Sequence, residues 1–234
     1  MLSPLAIKLI KILPESLVVK FTQTIVKGYI KKNARLKILG TEKLENLEGP
    51  FLFICNHLSN SDGLVLDYIL KEKYDPFFVA GAKLSDDPIT NLGTKIVKNI
   101  QVKPNTADKE AITSMVKTVR GGESLMMFPE GTRSRTGGMI EGKKGVLLIA
   151  RLTKAKIIPI AMSGTDKLLP ISETGDMGSE KWNRADVTIK FGDPVILSKR
   201  EKDEEKHVYD DRCLNTIMSS IAVLLPENYR GVYK

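Results

Sequence analysis

Phe51-Leu52-Phe53-Ile54-Cys55-Asn56-His57-Leu58-Ser59-Asn60-Ser61-Asp62 passes from five apolar residues straight into a polar turn. An apolar run of that length bounded by turn residues predicts a buried strand. A helix is predicted from near Gly63, so the turn sits at a strand's carboxyl end, where α/β folds place ligands. The rest of the chain repeats the alternation. Strands are predicted at Arg35–Leu39, Phe51–Cys55, Phe77–Ala80, Ile100–Lys103, Ser124–Phe128, Ile157–Ala161 and Val187–Phe191. Helices are predicted at Leu64–Glu72, Ile89–Lys98, Ala107–Arg120, Lys143–Thr153 and, as one long element, after Ser198. This pattern specifies an α/β domain over residues 34–234, with a mixed, largely parallel sheet of about seven strands flanked by helices. Ser198 and Glu201 fit a capping box that would start the last helix. Leu168–Ala185, rich in Gly, Ser and Asp, is expected to be one long surface loop.

The 234 residues are 42% hydrophobic and 27% charged, an ordinary globular composition large enough to bury a core without disulfide or metal staples. Two Cys and two His cannot supply a zinc site at ligand-pair spacing beyond Cys55 and His57, and no disulfide framework is evident. The chain starts with no basic n-region and no small-residue cleavage site, so a reducing, cytosol-facing setting is expected. Its net charge of +8 is unevenly spread: residues 1–37 hold eight basic residues against Glu15 alone, which leaves the remainder near neutral. Such a core, with 6% aromatic residues, offers few stacking platforms, and nucleic acid is not an expected partner.

Residues 1–33 read as two basic amphipathic helices separated by Pro14. In the first, Lys8, Lys11 and Glu15 share a narrow face with Ser3 and Pro4. In the second, Lys20, Gln23, Thr24, Lys27 and Lys31 lie opposite Val18, Phe21, Thr22, Ile25, Val26 and Tyr29. Lysines recur too often for a membrane span. The pattern suits a segment lying in an anionic membrane interface, apolar side chains in the acyl boundary and lysines at the head groups.

Two segments can carry chemistry. On a continuous helix His57 and Asp62 would diverge by about 140°, but a strand-to-helix turn can fold the carboxylate back onto one ring nitrogen. That fixes the tautomer and leaves the other nitrogen to act as a base. The second segment, Phe128-Pro129-Glu130-Gly131-Thr132-Arg133-Ser134-Arg135, also follows a strand and offers planar guanidinium donors suited to phosphate. Cys55, two residues before His57, presents an alternative thiol nucleophile or simply a small buried residue. Gly137 to Lys144 imitates a phosphate loop, but Lys144 stands where the Ser or Thr should be. His207, in a charged stretch, reads as a solvated histidine.

Taken together, His-x4-Asp at 57–62 and Phe-Pro-Glu-Gly-Thr-Arg at 128–133 resemble the glycerolipid acyltransferase family, particularly its 1-acylglycerol-3-phosphate acyltransferases. The resemblance runs from about residue 36 to 200 and includes Lys143-Lys144-Gly145, Ile157-Ile158-Pro159-Ile160 and Phe191-Gly192-Asp193-Pro194. It implies that His57 deprotonates the acceptor hydroxyl, that Asp62 orients it, and that Glu130, Gly131, Thr132 and Arg133 shape the acceptor site. Lys103 stands where the family usually has a phosphate-binding arginine, and Gly142 where it has phenylalanine. The implied reaction moves an acyl group from acyl-CoA or acyl carrier protein to a lysophospholipid, 1-acylglycerol-3-phosphate or another acceptor. It calls for no metal or organic cofactor, and backbone N–H groups near Gly131 are expected to meet the oxyanion. The implied setting is peripheral, on the cytoplasmic face of a membrane. A non-catalytic lipid-binding module is the alternative.

Overall fold

The computed structural model describes residues 14–82, 96–103, 106, 108–172 and 179–234. The expected first helix, before Pro14, lies outside them. The described chain runs α1 (Glu15–Asn33), β1 (Ala34–Leu39), β2 (Phe51–Cys55), α2 (Ser61–Leu70), β3 (Phe77–Gly81), β4 (Asn99–Val102), α3 (Lys109–Arg120), β5 (Leu125–Met127), α4 (Gly145–Thr153), β6 (Lys156–Ser163), α5 (Thr165–Leu168), β7 (Ala185–Phe191) and α6 (Lys206–Ala222). The sheet order is β1-β7-β6-β2-β5-β3-β4. Every pairing is parallel except β6 with β7, so β1 and β7 run against the other five strands.

Helices cover both faces, which is why the central strands are apolar without alternation. All of β2 is buried. Leu52 and Ile54 join one cluster with Met115 of α3, Val146 of α4 and Ile217 of α6. Phe51, Phe53 and Cys55 point the other way, among Ile30 of α1, Leu66 of α2 and Leu168 of α5. At the end of β2, the Asn56 side-chain amide donates to the Met162 carbonyl at 2.8 Å and its Oδ1 accepts from Met162 N–H at 2.8 Å. That pair of hydrogen bonds ties the start of the polar turn to β6.

Four expectations change or fall partly outside the described residues. The last helix begins at Lys206, not at a capping box on Ser198. Ser198 Oγ instead accepts from Arg212, whose guanidinium also binds Glu204 at 2.7 and 2.8 Å, and Glu204 in turn accepts the Glu201 N–H. These bonds hold the lead-in against the side of α6 in a non-helical path. The predicted helix Ile89–Lys98 lies mostly outside the described residues, and 96–98 approach β4 without helical structure. Helix α2 starts at Ser61, which puts Asp62 in its first turn. The stretch expected as one loop begins with the end of α5, and of its interior 173–178 are not among the described residues.

The apolar side of α1 divides. Val18 and Ile30 are buried against the domain, whereas Leu17, Phe21 and Ile25, successive at i, i+4 spacing, stay exposed, Phe21 at 69%.

Candidate active site

Strands β2 and β5 are parallel neighbours, with Ile54 opposite Met127. The two turns that follow them therefore emerge side by side at the carboxyl edge of the sheet. In the first, Asp62 Oδ2 accepts three bonds: from His57 Nδ1 at 2.7 Å, Leu58 N–H at 2.6 Å and Ser59 N–H at 2.8 Å. The turn wraps the carboxylate, which is fully buried. With the carboxylate as acceptor, the neutral form of the ring carries its proton on Nδ1 and its lone pair on Nε2. The Phe128 ring stacks on the imidazole, centroids 4.0 Å apart and planes inclined by 15°. Ring orientation is thus fixed from the side and from behind.

Glu130 splints this arrangement. Its Oε1 accepts the His57 N–H at 2.7 Å and its Oε2 the Ile140 N–H at 2.9 Å, while Ser134 N–H donates to the His57 carbonyl at 2.8 Å. Both carboxylate oxygens face inward, so Glu130 holds the backbone of His57. Burial pushes its carboxyl up to about 7 despite the two backbone donors, with the nearby Asp62 charge adding to the rise. A carboxyl raised on folding stabilises the native state fully below its unfolded value of 4.5, and that contribution is lost as pH rises through about 7. Thermal melts should therefore show stability falling between pH 5 and 8 by on the order of 2 kcal/mol more than in Glu130→Gln.

Gly131 takes φ +68°, and a Cβ there would meet Lys143 Cδ at 2.8 Å, so the turn needs glycine. Its N–H donates to the Phe128 carbonyl at 2.9 Å. It is thereby committed within the turn. Thr132 is exposed beside it. The Arg133 side chain is 20% exposed and Nη1 lies 3.5 Å from Glu180 Oε1. His57, Asp62, Glu130, Gly131, Thr132 and Arg133 are thus brought together. Lys103 is not among them. It follows β4 at the sheet edge, three strand positions from β2 or about 14 Å, exposed, with its N–H bonded to Asp108 Oδ2 at 3.0 Å. Cys55 is fully buried and desolvation raises its thiol pKa well above the usual range, which leaves it inert as a nucleophile. His207 is exposed beside Glu205.

Two contacts of these turns carried no sequence signal. Glu180, in the long connection before β7, is brought against Arg133 and Asn60 only by the fold. Lys143 packs its side chain over Gly131, a contact invisible in the run of lysines.

A family model described as Acyltransferase matches residues 35–163. Among curated proteins, the chain is 27% identical over 166 residues to the chloroplastic 1-acyl-sn-glycerol-3-phosphate acyltransferase BAT2 of Brassica napus, covering 70% of this chain and 46% of that protein. It is 28% identical over 186 residues to a 1-acyl-sn-glycerol-3-phosphate acyltransferase of Borreliella burgdorferi, covering 78% and 72%. The chain spans about half the length of the first of these curated relatives. The crystal structure of the 1-acyl-sn-glycerophosphate acyltransferase PlsC from Thermotoga maritima superposes with a TM-score of 0.58 over 90% of this chain and 83% of that one. Its 19% identity makes this a likeness of fold.

Proposed function

The chain belongs to the acyltransferase family, and from that premise we propose that it acylates the free hydroxyl of 1-acyl-sn-glycerol-3-phosphate, giving phosphatidic acid, with an acyl-CoA or acyl carrier protein thioester as donor. The observation that carries the proposal is the His57–Asp62 pair, in which the carboxylate engages Nδ1, set on the same sheet edge as the turn that carries Arg133. His57 Nε2 takes the hydroxyl proton as the oxygen attacks the thioester carbonyl. The new C–O bond forms, the C–S bond breaks, and the imidazolium returns its proton to the departing thiolate. Asp62 supports the positive charge on the ring throughout. Arg133 binds the acceptor's phosphate, which holds the hydroxyl in reach of the base and makes its attack effectively unimolecular.

The test is thiol release by the purified chain with acyl-CoA or acyl carrier protein donors and a panel of lysophospholipids. Turnover greatest with 1-acyl-sn-glycerol-3-phosphate is expected. No thiol release with any donor and acceptor would end the proposal in favour of a lipid-binding module.

The exposed row Leu17, Phe21 and Ile25, flanked by Lys20, Lys27 and Lys31, supports a second element of the proposal: α1 seats the enzyme on an anionic leaflet as a peripheral protein. No helix among the described residues is long and apolar enough to cross a membrane. Phe21→Glu is expected to weaken sedimentation with vesicles containing anionic phospholipid by about tenfold to a hundredfold, since burying one aromatic side chain is worth roughly 1.5–3 kcal/mol. Binding equal to that of the native chain would place the contact elsewhere.

A further inference from the structure

Glu180 is a nearly buried carboxylate with an unusual set of neighbours. Its side chain is 2% exposed. Both oxygens accept from Asn60 Nδ2, at 2.8 and 2.7 Å, and Oε1 stands 3.5 Å from Arg133 Nη1. Asn60 belongs to the turn between His57 and Asp62, and Arg133 to the turn after β5, so one carboxylate bridges the two segments of the site. It is delivered there firmly. Trp182 stacks on Tyr29 of α1 at 5.8 Å between centroids, and Asn183 N–H donates to the Leu168 carbonyl at 2.8 Å.

The contact with Arg133 is electrostatic without being a hydrogen bond: Nη1 is buried and has no hydrogen-bond partner among the described residues. A carboxylate spread over an amide and beside a guanidinium stands as one edge of a phosphate would. Its charge also offsets that of the cation. Any anion approaching Arg133 from the exposed fifth of the side chain feels the guanidinium's attraction and Glu180's repulsion together. The repulsion scales with ligand charge, so a doubly charged phosphomonoester is penalised about twice as much, on a logarithmic scale, as a singly charged phosphodiester.

We propose that Glu180 is a specificity-determining residue: a fixed negative charge in the acceptor-anion subsite that restrains its preference for phosphomonoester over phosphodiester head groups. The inference rests on the acceptor site placed at Arg133 above. Glu180 touches no reacting atom and works by setting the charge that Arg133 presents.

Glu180→Gln isolates the effect, because the glutamine carbonyl can still accept from Asn60 while the charge is gone. At pH 8, kcat/KM for 1-acyl-sn-glycerol-3-phosphate should rise about tenfold and that for 1-acyl-glycerophosphoglycerol only about threefold, with most of the change in KM. An unchanged ratio, or an equal loss on both acceptors, would overturn the proposal in favour of a purely structural bridge. Calorimetry with sn-glycerol 3-phosphate and glycerophosphoglycerol gives a readout independent of turnover. The variant should bind the first more tightly, by a larger factor than the second. If the native chain transfers no acyl group yet this binding difference appears, the catalytic proposal fails and the charge assignment stands. If binding of both is unaltered or weaker, the assignment fails whatever the activity.

Discussion

His57→Ala is expected to lower kcat for acyl transfer by about a hundredfold to ten-thousandfold, the range a positioned general base contributes, while the chain folds as before. The geometry separates the two effects. Without the imidazole, Asp62 Oδ2 still accepts from Leu58 and Ser59 N–H, so the buried carboxylate keeps two donors. The backbone at position 57 also stays pinned between Glu130 and the Ser134 N–H. The loss confined to folding is the stacking of Phe128, about 1 kcal/mol. Thiol-release rates beside a thermal melt check both halves. Turnover within tenfold of the native rate would remove His57 from the chemistry, whatever the fold likeness.

Asp62→Asn is expected to cost about a hundredfold or more in kcat with little change in Tm. Asparagine can turn its carbonyl oxygen toward the same three donors, so the turn between β2 and α2 remains closed. What disappears is the negative charge that supports the imidazolium. Asp62→Ala should behave differently, because it strands those donors inside a fully buried turn. A cost on the order of 3 kcal/mol in stability follows from orphaned buried N–H groups. If Asn and Ala variants lose activity and stability in parallel, the carboxylate acts as a structural cap and the base works without it.

How far such features were legible in the sequence depended on whether their cause was local. The five apolar residues of β2 needed nothing beyond themselves, and both faces of that strand are covered as an unbroken run requires. The neighbourhood of the two motif turns follows from parallel pairing of β2 with β5, which the positions of the motifs after two strands foreshadowed. Ser198 misled because a capping box is a local pattern and Arg212, fourteen residues away, captures its hydroxyl instead. The face of α1 was read as one apolar surface because the sequence does not say which half the core takes. Val18 and Ile30 went inward, and Phe21 did not. Lys103 was placed by resemblance alone, and the sheet order moves it to an edge. Glu180 has no pattern to betray it, since its importance comes from Asn60 and Arg133, far away along the chain.

The reversal between β6 and β7 has a geometric consequence for where α1 joins the sheet. Because β7 opposes β6 and β1 follows β7, the amino end of β1 lies on the same rim as the carboxyl ends of β2 and β5. Helix α1 ends at Asn33, β1 begins at Ala34, and the Ala34 N–H still bonds the Ile30 carbonyl, so no slack separates them. A rod of 19 residues, about 28 Å long, is thus welded to the rim that holds His57. With all seven strands aligned, the same rod would have entered at the far side. The polarity switch lets a single joint set the angle between α1 and the rim that carries His57.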